Sequence, residues 1–170
     1  MFSRRQLLFG TLAVGGGLGA LALMPRGFAV SPAMAADTQV FDVTHTASEW
    51  KAMLTPAQYD VLREEGTERP YTSPLNDEHR QGTFSCAGCN LPAFSSATKF
   101  DSGTGWPSFW TPLDKAVAVR EDRSFGMVRK EVHCSRCGGH LGHVFDDGPK
   151  PTGLRYCMNG VAMNFAPKAA

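Results

Sequence analysis

Two Cys-x-x-Cys pairs, "CAGC" at 86–89 and "CSRC" at 134–137, stand 44 residues apart and constrain this chain more than any other feature. Four thiolates presented by two tight turns can meet at a tetrahedral Zn(II) with no open coordination position, a structural site that ties distant parts of a small domain together. "CGG" follows at Cys137, and its glycines suit a metal knuckle. The alternative is two local disulfides. Such a bridge closes a very small loop and stabilises little, whereas a shared ion joins two regions of the chain. The spacing therefore predicts one zinc held by Cys86, Cys89, Cys134 and Cys137.

The first 35 residues do not read as part of a fold. Arg4 and Arg5 precede 18 uncharged residues, Leu7 to Met24, and Ala33 and Ala35 then stand before Ala36. A charged start, an apolar middle and an A-x-A end describe a cleaved export signal, and the paired arginines point to the twin-arginine route. The competing reading is a retained anchor. Removal takes three of the 17 Lys and Arg and none of the 16 Asp and Glu, turning a formal +1 into −2. That balance argues against nucleic acid as a partner, because phosphate binding needs a basic surface. The mature length suits one domain and contains no stretch fit to span a bilayer.

Residues 36–53 read as a tether with a short helical turn from Ser48, and the domain proper as 54–167. Thr55, Pro56 and Gln58 form a capping-box start for a helix over 56–65, with Gly66 as its stop. From Gly82 onward the segments are short and β-like, with "AVAVRED", "GMVRKEVHC", "HVFDD" and "RYCMNGVAMNF" the clearest strands. The expected fold is mostly β, a small sandwich or open barrel preceded by one or two helices.

Cys157, in "LRYCMNGVAMNF", belongs to neither pair. A lone cysteine in a strand is often an inert core residue. Its neighbours favour chemistry: Arg155 and Asn159, two residues away on either side, should share its face of a strand, and a nearby cation favours the reactive thiolate. His140 and His143 follow the second knuckle and offer proton transfer, or could merely order the metal turn. "GTGWPSFW" adds Trp106, Phe109 and Trp110, either core or a slot for an apolar group such as a methyl thioether.

"GTERPYTSPLN", "CAGC", "KFDSGTGWPSF", "EVHCSRCGGHLGHVFDDGP" and "GLRYCMNGVAMNF" together resemble the methionine-R-sulfoxide reductases, the B type, over about residues 54–167. The resemblance implies two antiparallel sheets with a structural zinc, and reduction of the R epimer of methionine sulfoxide in proteins. It implies Cys157 as the nucleophile that becomes a sulfenic acid, with His143 and Asn159 binding or protonating the sulfoxide oxygen. His140 would be a further active-site histidine, Trp106 and Phe109 would meet the substrate, and Arg155 would be a supporting cation. Many relatives carry a resolving cysteine where Thr104 stands here. With the other four cysteines assigned to zinc, the expected reductant is an external thiol, either a thioredoxin-like protein or a small molecule. The resemblance also carries Ser where Gly160 stands. The expected setting is the periplasm, with oxidised protein methionines as substrates and a monomeric enzyme. Two other classes remain open at this point: a non-enzymatic zinc-ribbon binding module with an inert Cys157, and a disulfide oxidoreductase using the Cys-x-x-Cys pairs.

Overall fold

A computed structural model describes residues 40–169, so the expected export signal, residues 1–35, lies outside the described residues. Two helices come first, α1 (Ala47–Met53) and α2 (Pro56–Glu64). Both start on a complete capping box, Thr46 with Glu49 and Thr55 with Gln58, in which side chain and backbone satisfy each other's unpaired donors. Glu65, not Gly66, takes the left-handed position that ends α2 (φ 58°), and the Gly66 N–H then bonds back to the Asp60 carbonyl at 3.0 Å.

Nine strands follow: β1 (Gly82–Cys86), β2 (Pro92–Ser95), β3 (Lys99–Phe100), β4 (Ser108–Phe109), β5 (Val117–Asp122), β6 (Arg129–Cys134), β7 (His140–Phe145), β8 (Arg155–Met158) and β9 (Met163–Pro167). They form two antiparallel sheets, β2-β1-β9 and β3-β4-β8-β7-β6-β5. The mostly β architecture with two short helices is the one expected. "RYCMNGVAMNF" does not run as one strand: β8 ends at Met158, a 3-10 turn over Gly160–Ala162 redirects the chain, and β9 joins the other sheet. Among the described residues, no helix is long and apolar enough to cross a membrane.

The core lies where the sheets meet. Phe94 stacks on Phe109 with ring centres 4.4 Å apart, and Phe84 meets Phe109 edge-on at 5.0 Å. These three rings come from β2, β4 and β1 and are fully buried. Offset and edge-on contacts of this kind add to the hydrophobic burial of each ring.

The expected tether needs correction from Phe41 onward. The described residues 40–169 form one compact unit, and the segment before α2 packs within it. The Val43 N–H bonds to the Arg136 carbonyl at 3.0 Å, and the Phe41 ring meets His133 edge-on. Trp50 is buried, with the Arg63 guanidinium 4.9 Å from its ring centre. A tryptophan in that stretch carries too much apolar surface to stay in water when α2 offers a surface to pack on.

Candidate active site

The four paired cysteines do converge. Their sulfurs lie within 4.8 Å of one another, with Cys86 to Cys137 at 3.7 Å and Cys89 to Cys134 at 3.5 Å. Sulfurs about 2.3 Å from a tetrahedral zinc stand about 3.8 Å apart, so the set fits that ion. Short contacts run between the two knuckles, and all four thiols are free, which excludes the local disulfides. Leu62 of α2 packs against the Gly88 and Gly139 turns, while Arg63 Nη1 donates to the Cys137 carbonyl at 3.0 Å. The metal site thus joins β1, β6 and α2.

Cys157 lies on the six-stranded sheet, and the register decides its company. Ser108 is paired with Cys157, Cys157 with His143, His143 with Glu131, and Glu131 with Arg120. Directly opposed residues share a face, so one row across β4, β8, β7, β6 and β5 presents a hydroxyl, a thiol, an imidazole, a carboxylate and a guanidinium side by side. A cavity of about 130 Å³ opens over its middle, lined by Thr67, Trp106, Arg129, Phe145 and Asn159 together with Cys157, His143 and Gly142.

Each histidine is held by an acid. His143 Nε2 and Asp122 Oδ2 are 2.8 Å apart, and Arg129 Nη2 donates to the same carboxylate oxygen at 2.6 Å. Hydrogen bonds from Ser124, then from His143, hold the Asp122 carboxyl well below its ordinary range. Burial pushes the His143 imidazolium down, and Asp122 opposes this only in part. His140 is fully buried, its Nδ1 2.8 Å from Glu131 Oε1, and its Nε2 has no partner among the described residues. The two imidazoles meet edge-on at 5.3 Å.

The remaining expected residues divide. Trp106 borders the cavity and is fixed by its Nε1–H donating to the Glu68 carbonyl at 3.1 Å. Asn159 also reaches it, though from the turn after β8 and not from the strand face. Its Oδ1 accepts from the Glu68 N–H, and its Nδ2 donates to the Leu141 carbonyl at 3.2 Å. Glu68 thus holds Trp106 and Asn159 together, and its carboxylate accepts from the N–H groups of Gly160 and Val161. Arg155 pairs with Asp147 at 2.8 Å and lies over Phe145, so its charge is shared. Burial pushes the Cys157 thiol up overall, with the Thr104 hydroxyl and Arg155 offsetting part of that. Phe109 is not brought to the cavity. It neighbours Ser108 on a two-residue strand, and alternation turns it into the core among Phe84 and Phe94. Trp110 likewise does not line the cavity.

Asp122, Glu131, Glu68, Phe145 and Ser108 were not singled out from sequence. Nothing in their spacing ties them to Cys157; only strand pairing does. Gly142 has a clearer role. A Cβ there would lie 2.1 Å from the Cys157 carbonyl oxygen and 3.0 Å from Met158 Cα, so only glycine lets β7 and β8 approach at the thiol. Gly142→Ala is expected to lower kcat/KM about a hundredfold by displacing Cys157 and to destabilise the fold by about 2 kcal/mol. Steady-state kinetics and urea unfolding measure both, and wild-type kinetics would show that the close approach is dispensable. At Gly160 an added Cβ would stand 1.9 Å from Ser73 Oγ, so the serine carried there by the resemblance does not fit beside this Ser73.

Comparison with known proteins agrees with this geometry. The SelR domain model matches residues 54–167. "Peptide methionine sulfoxide reductase MsrB" of Pseudomonas putida (strain W619) is 56% identical over 127 residues, covering 74% of this chain and 96% of the relative. The protein of the same name from Thiobacillus denitrificans is 56% identical over 128 residues, 75% of this chain and 97% of its own length. That from Methanosarcina barkeri is 55% identical over 124 residues, 72% and 87% respectively. Both zinc knuckles, the Trp106 turn, the two histidines and Cys157 fall within the matched domain, and the chain belongs to the SelR-domain family that these methionine sulfoxide reductases represent.

Proposed function

We propose that the chain reduces the R epimer of methionine sulfoxide in oxidised proteins to methionine, with Cys157 as nucleophile. The observation that carries this reading is the direct pairing of Cys157 with His143 beneath a cavity walled by Trp106 and Asn159. The Cys157 thiolate attacks the sulfoxide sulfur to form an S–S bond, and the oxygen gains two protons and leaves as water. A water then attacks the cysteine sulfur, losing a proton and breaking the S–S bond, so that methionine departs with the electron pair and Cys157 is left as a sulfenic acid. An unprotonated oxide is a poor leaving group, so a proton donor beside the sulfur is needed. Asp122 takes His143 Nε2, and Nδ1 is the nitrogen left for the oxygen. Trp106 and Phe145 supply apolar walls for the methyl and methylene groups next to sulfur. The four-cysteine zinc site has no open position and takes no part in the reaction. An assay with separated epimers tests the reading: the R form should be consumed and the S form left, and equal consumption of both would overturn it.

Proton supply makes the rate pH-dependent. Only the imidazolium donates, so activity should fall as pH rises through the His143 pKa, which burial has already lowered. Asp122 favours the charged form, and Asp122→Asn should lower that pKa further. The alkaline fall-off of kcat/KM then moves to lower pH, with about tenfold less activity at pH 7 if the change is about one unit. An unmoved profile would remove His143 from the proton step.

No thiol faces Cys157 in place of a resolving cysteine, and Thr104 Oγ1 lies 3.8 Å from its sulfur. Recycling therefore uses an external thiol, which releases water from the sulfenic acid and leaves a mixed disulfide for a second thiol to cleave. The reading extends to export by the twin-arginine signal and repair of periplasmic proteins by a monomeric enzyme, which fractionation and sedimentation test.

A further inference from the structure

We propose that Ser108, Ser102 and Thr104 form a directional chain of hydroxyls that ends on Cys157 and stabilises its thiolate; this rests on Cys157 being the nucleophile. Ser108 Oγ and Ser102 Oγ are 2.8 Å apart, Ser102 Oγ and Thr104 Oγ1 are 2.8 Å apart, and Thr104 Oγ1 is 3.8 Å from Cys157 Sγ. At the far end Ser108 Oγ lies 3.1 Å from the Trp106 carbonyl oxygen. Ser108 is fully buried, so water does not compete at that end.

Each hydroxyl has one hydrogen to give and lone pairs to receive, which leaves two complete orders. With the thiol protonated, S–H donates to Thr104, Thr104 to Ser102, Ser102 to Ser108, and Ser108 to the Trp106 carbonyl. With the thiolate, the direction reverses: Ser108 donates to Ser102, Ser102 to Thr104, and Thr104 to the sulfur anion. No proton crosses the chain. Three hydroxyls rotate, and the thiol proton leaves by another route, to solvent or to the sulfoxide oxygen. Aligned donors polarise one another, and a donor to an anion is stronger than one to a neutral acceptor.

The backbone holds this chain in place. Gly103 and Gly105, on either side of Thr104, have φ of 68° and 93°, and a Cβ on Gly105 would meet Pro70 Cβ and the Tyr71 nitrogen at 2.8 Å. The Tyr71 N–H bonds to the Gly105 carbonyl at 2.7 Å. Thr104 is thus presented from a pinned turn. Of the other groups around Cys157, Ser108 faces it directly from β4 and also favours the thiolate, and Arg155 on its own strand is paired with Asp147 and still favours the thiolate. The rest are His143 on β7 with Asp122 behind it, and Arg129 on β6. Thr104 is the largest influence opposing the effect of burial on this thiol.

The test is the pH dependence of Cys157 alkylation by iodoacetamide, read by mass spectrometry of the peptide that contains it so that the zinc thiols are not counted. Thr104→Val should move the midpoint up by about one unit, making alkylation at pH 7 about tenfold slower. Thr104→Ser keeps the hydroxyl and should keep the wild-type midpoint. Ser102→Ala should shift it the same way by less. A wild-type midpoint in Thr104→Val overturns the proposal, as does a Thr104→Ser midpoint as high as that of valine. If the valine variant loses its zinc, Ser102→Ala decides alone: a shift supports the chain and no shift overturns it. The two levels separate cleanly, because an active Cys157→Ser enzyme would refute the nucleophile, whereas an inactive one with unmoved Thr104→Val alkylation would refute only the hydroxyls.

Discussion

Replacing Cys157 by serine is expected to lower reduction of R-methionine sulfoxide by about a thousandfold or more, because no other side chain at the cavity can form the bond to sulfur. A hydroxyl is a far weaker nucleophile towards sulfur than a thiolate and reaches its anion only at much higher pH. Serine is nearly isosteric, and the site is half-buried between Ser108 and His143, so zinc content and the unfolding midpoint should stay close to wild type. In the wild-type enzyme, one turnover without reductant should leave a single oxygen on Cys157 that a sulfenic-acid reagent traps. Retained activity in Cys157→Ser would turn attention to Cys89, which is half-buried among the zinc thiols, and would revive the disulfide-oxidoreductase alternative.

The second large effect concerns stability. Cys134→Ser, or extraction of the metal by a strong chelator, should destabilise the domain by about 4 kcal/mol or more, since the binding energy of a structural zinc is largely folding energy. For a domain of this size that is a fall in Tm of about 15 °C. The loss should be cooperative because Cys86 ends β1, Cys134 ends β6 and Leu62 of α2 packs on both turns. Calorimetry with and without chelator measures it, and an unchanged Tm would mean that the four-cysteine site does not brace the fold. Activity should be lost together with structure, not separately, because these sulfurs do not line the cavity beside Cys157.

Much of the fold was legible because its signals are local. A capping box needs only residues three apart, so the start of α2 could be read from Thr55 and Gln58, whereas α1 was expected only as a short turn from Ser48 and its Thr46–Glu49 box was missed. The β5–β6 hairpin was visible in "AVAVRED" and "GMVRKEVHC" for the same reason, with Asp122 paired to Arg129 across the turn. Other parts were not legible. Phe109 and Trp106 stand in one aromatic cluster, yet Phe109 enters the core and Trp106 reaches the cavity, because only packing decides which face of a short strand turns inward. Asn159 was expected on the face of a strand that stops one residue before it. The segment before α2 was read as a tether because its burial depends on surfaces far along the chain.

The sequence alone settled which atoms are available: four thiols at knuckle spacing, a fifth thiol apart from them, two histidines and a tryptophan turn. These follow from residue identity and short-range spacing, which the chain carries wherever it folds. The tertiary structure decided which of them meet. A one-residue slip between β7 and β8 would pair Cys157 with Val144 or Gly142, and His143 and Cys157 would then point to opposite faces. Gly142 favours the observed register by letting the strands approach at the thiol, and the same register sets Ser108 on one side of Cys157 and His143 on the other. Such pairings join residues 14 and 49 positions apart, His143 and Ser108 to Cys157, through backbone hydrogen bonds that any sequence can make. Their choice therefore rests on the packing of the whole domain.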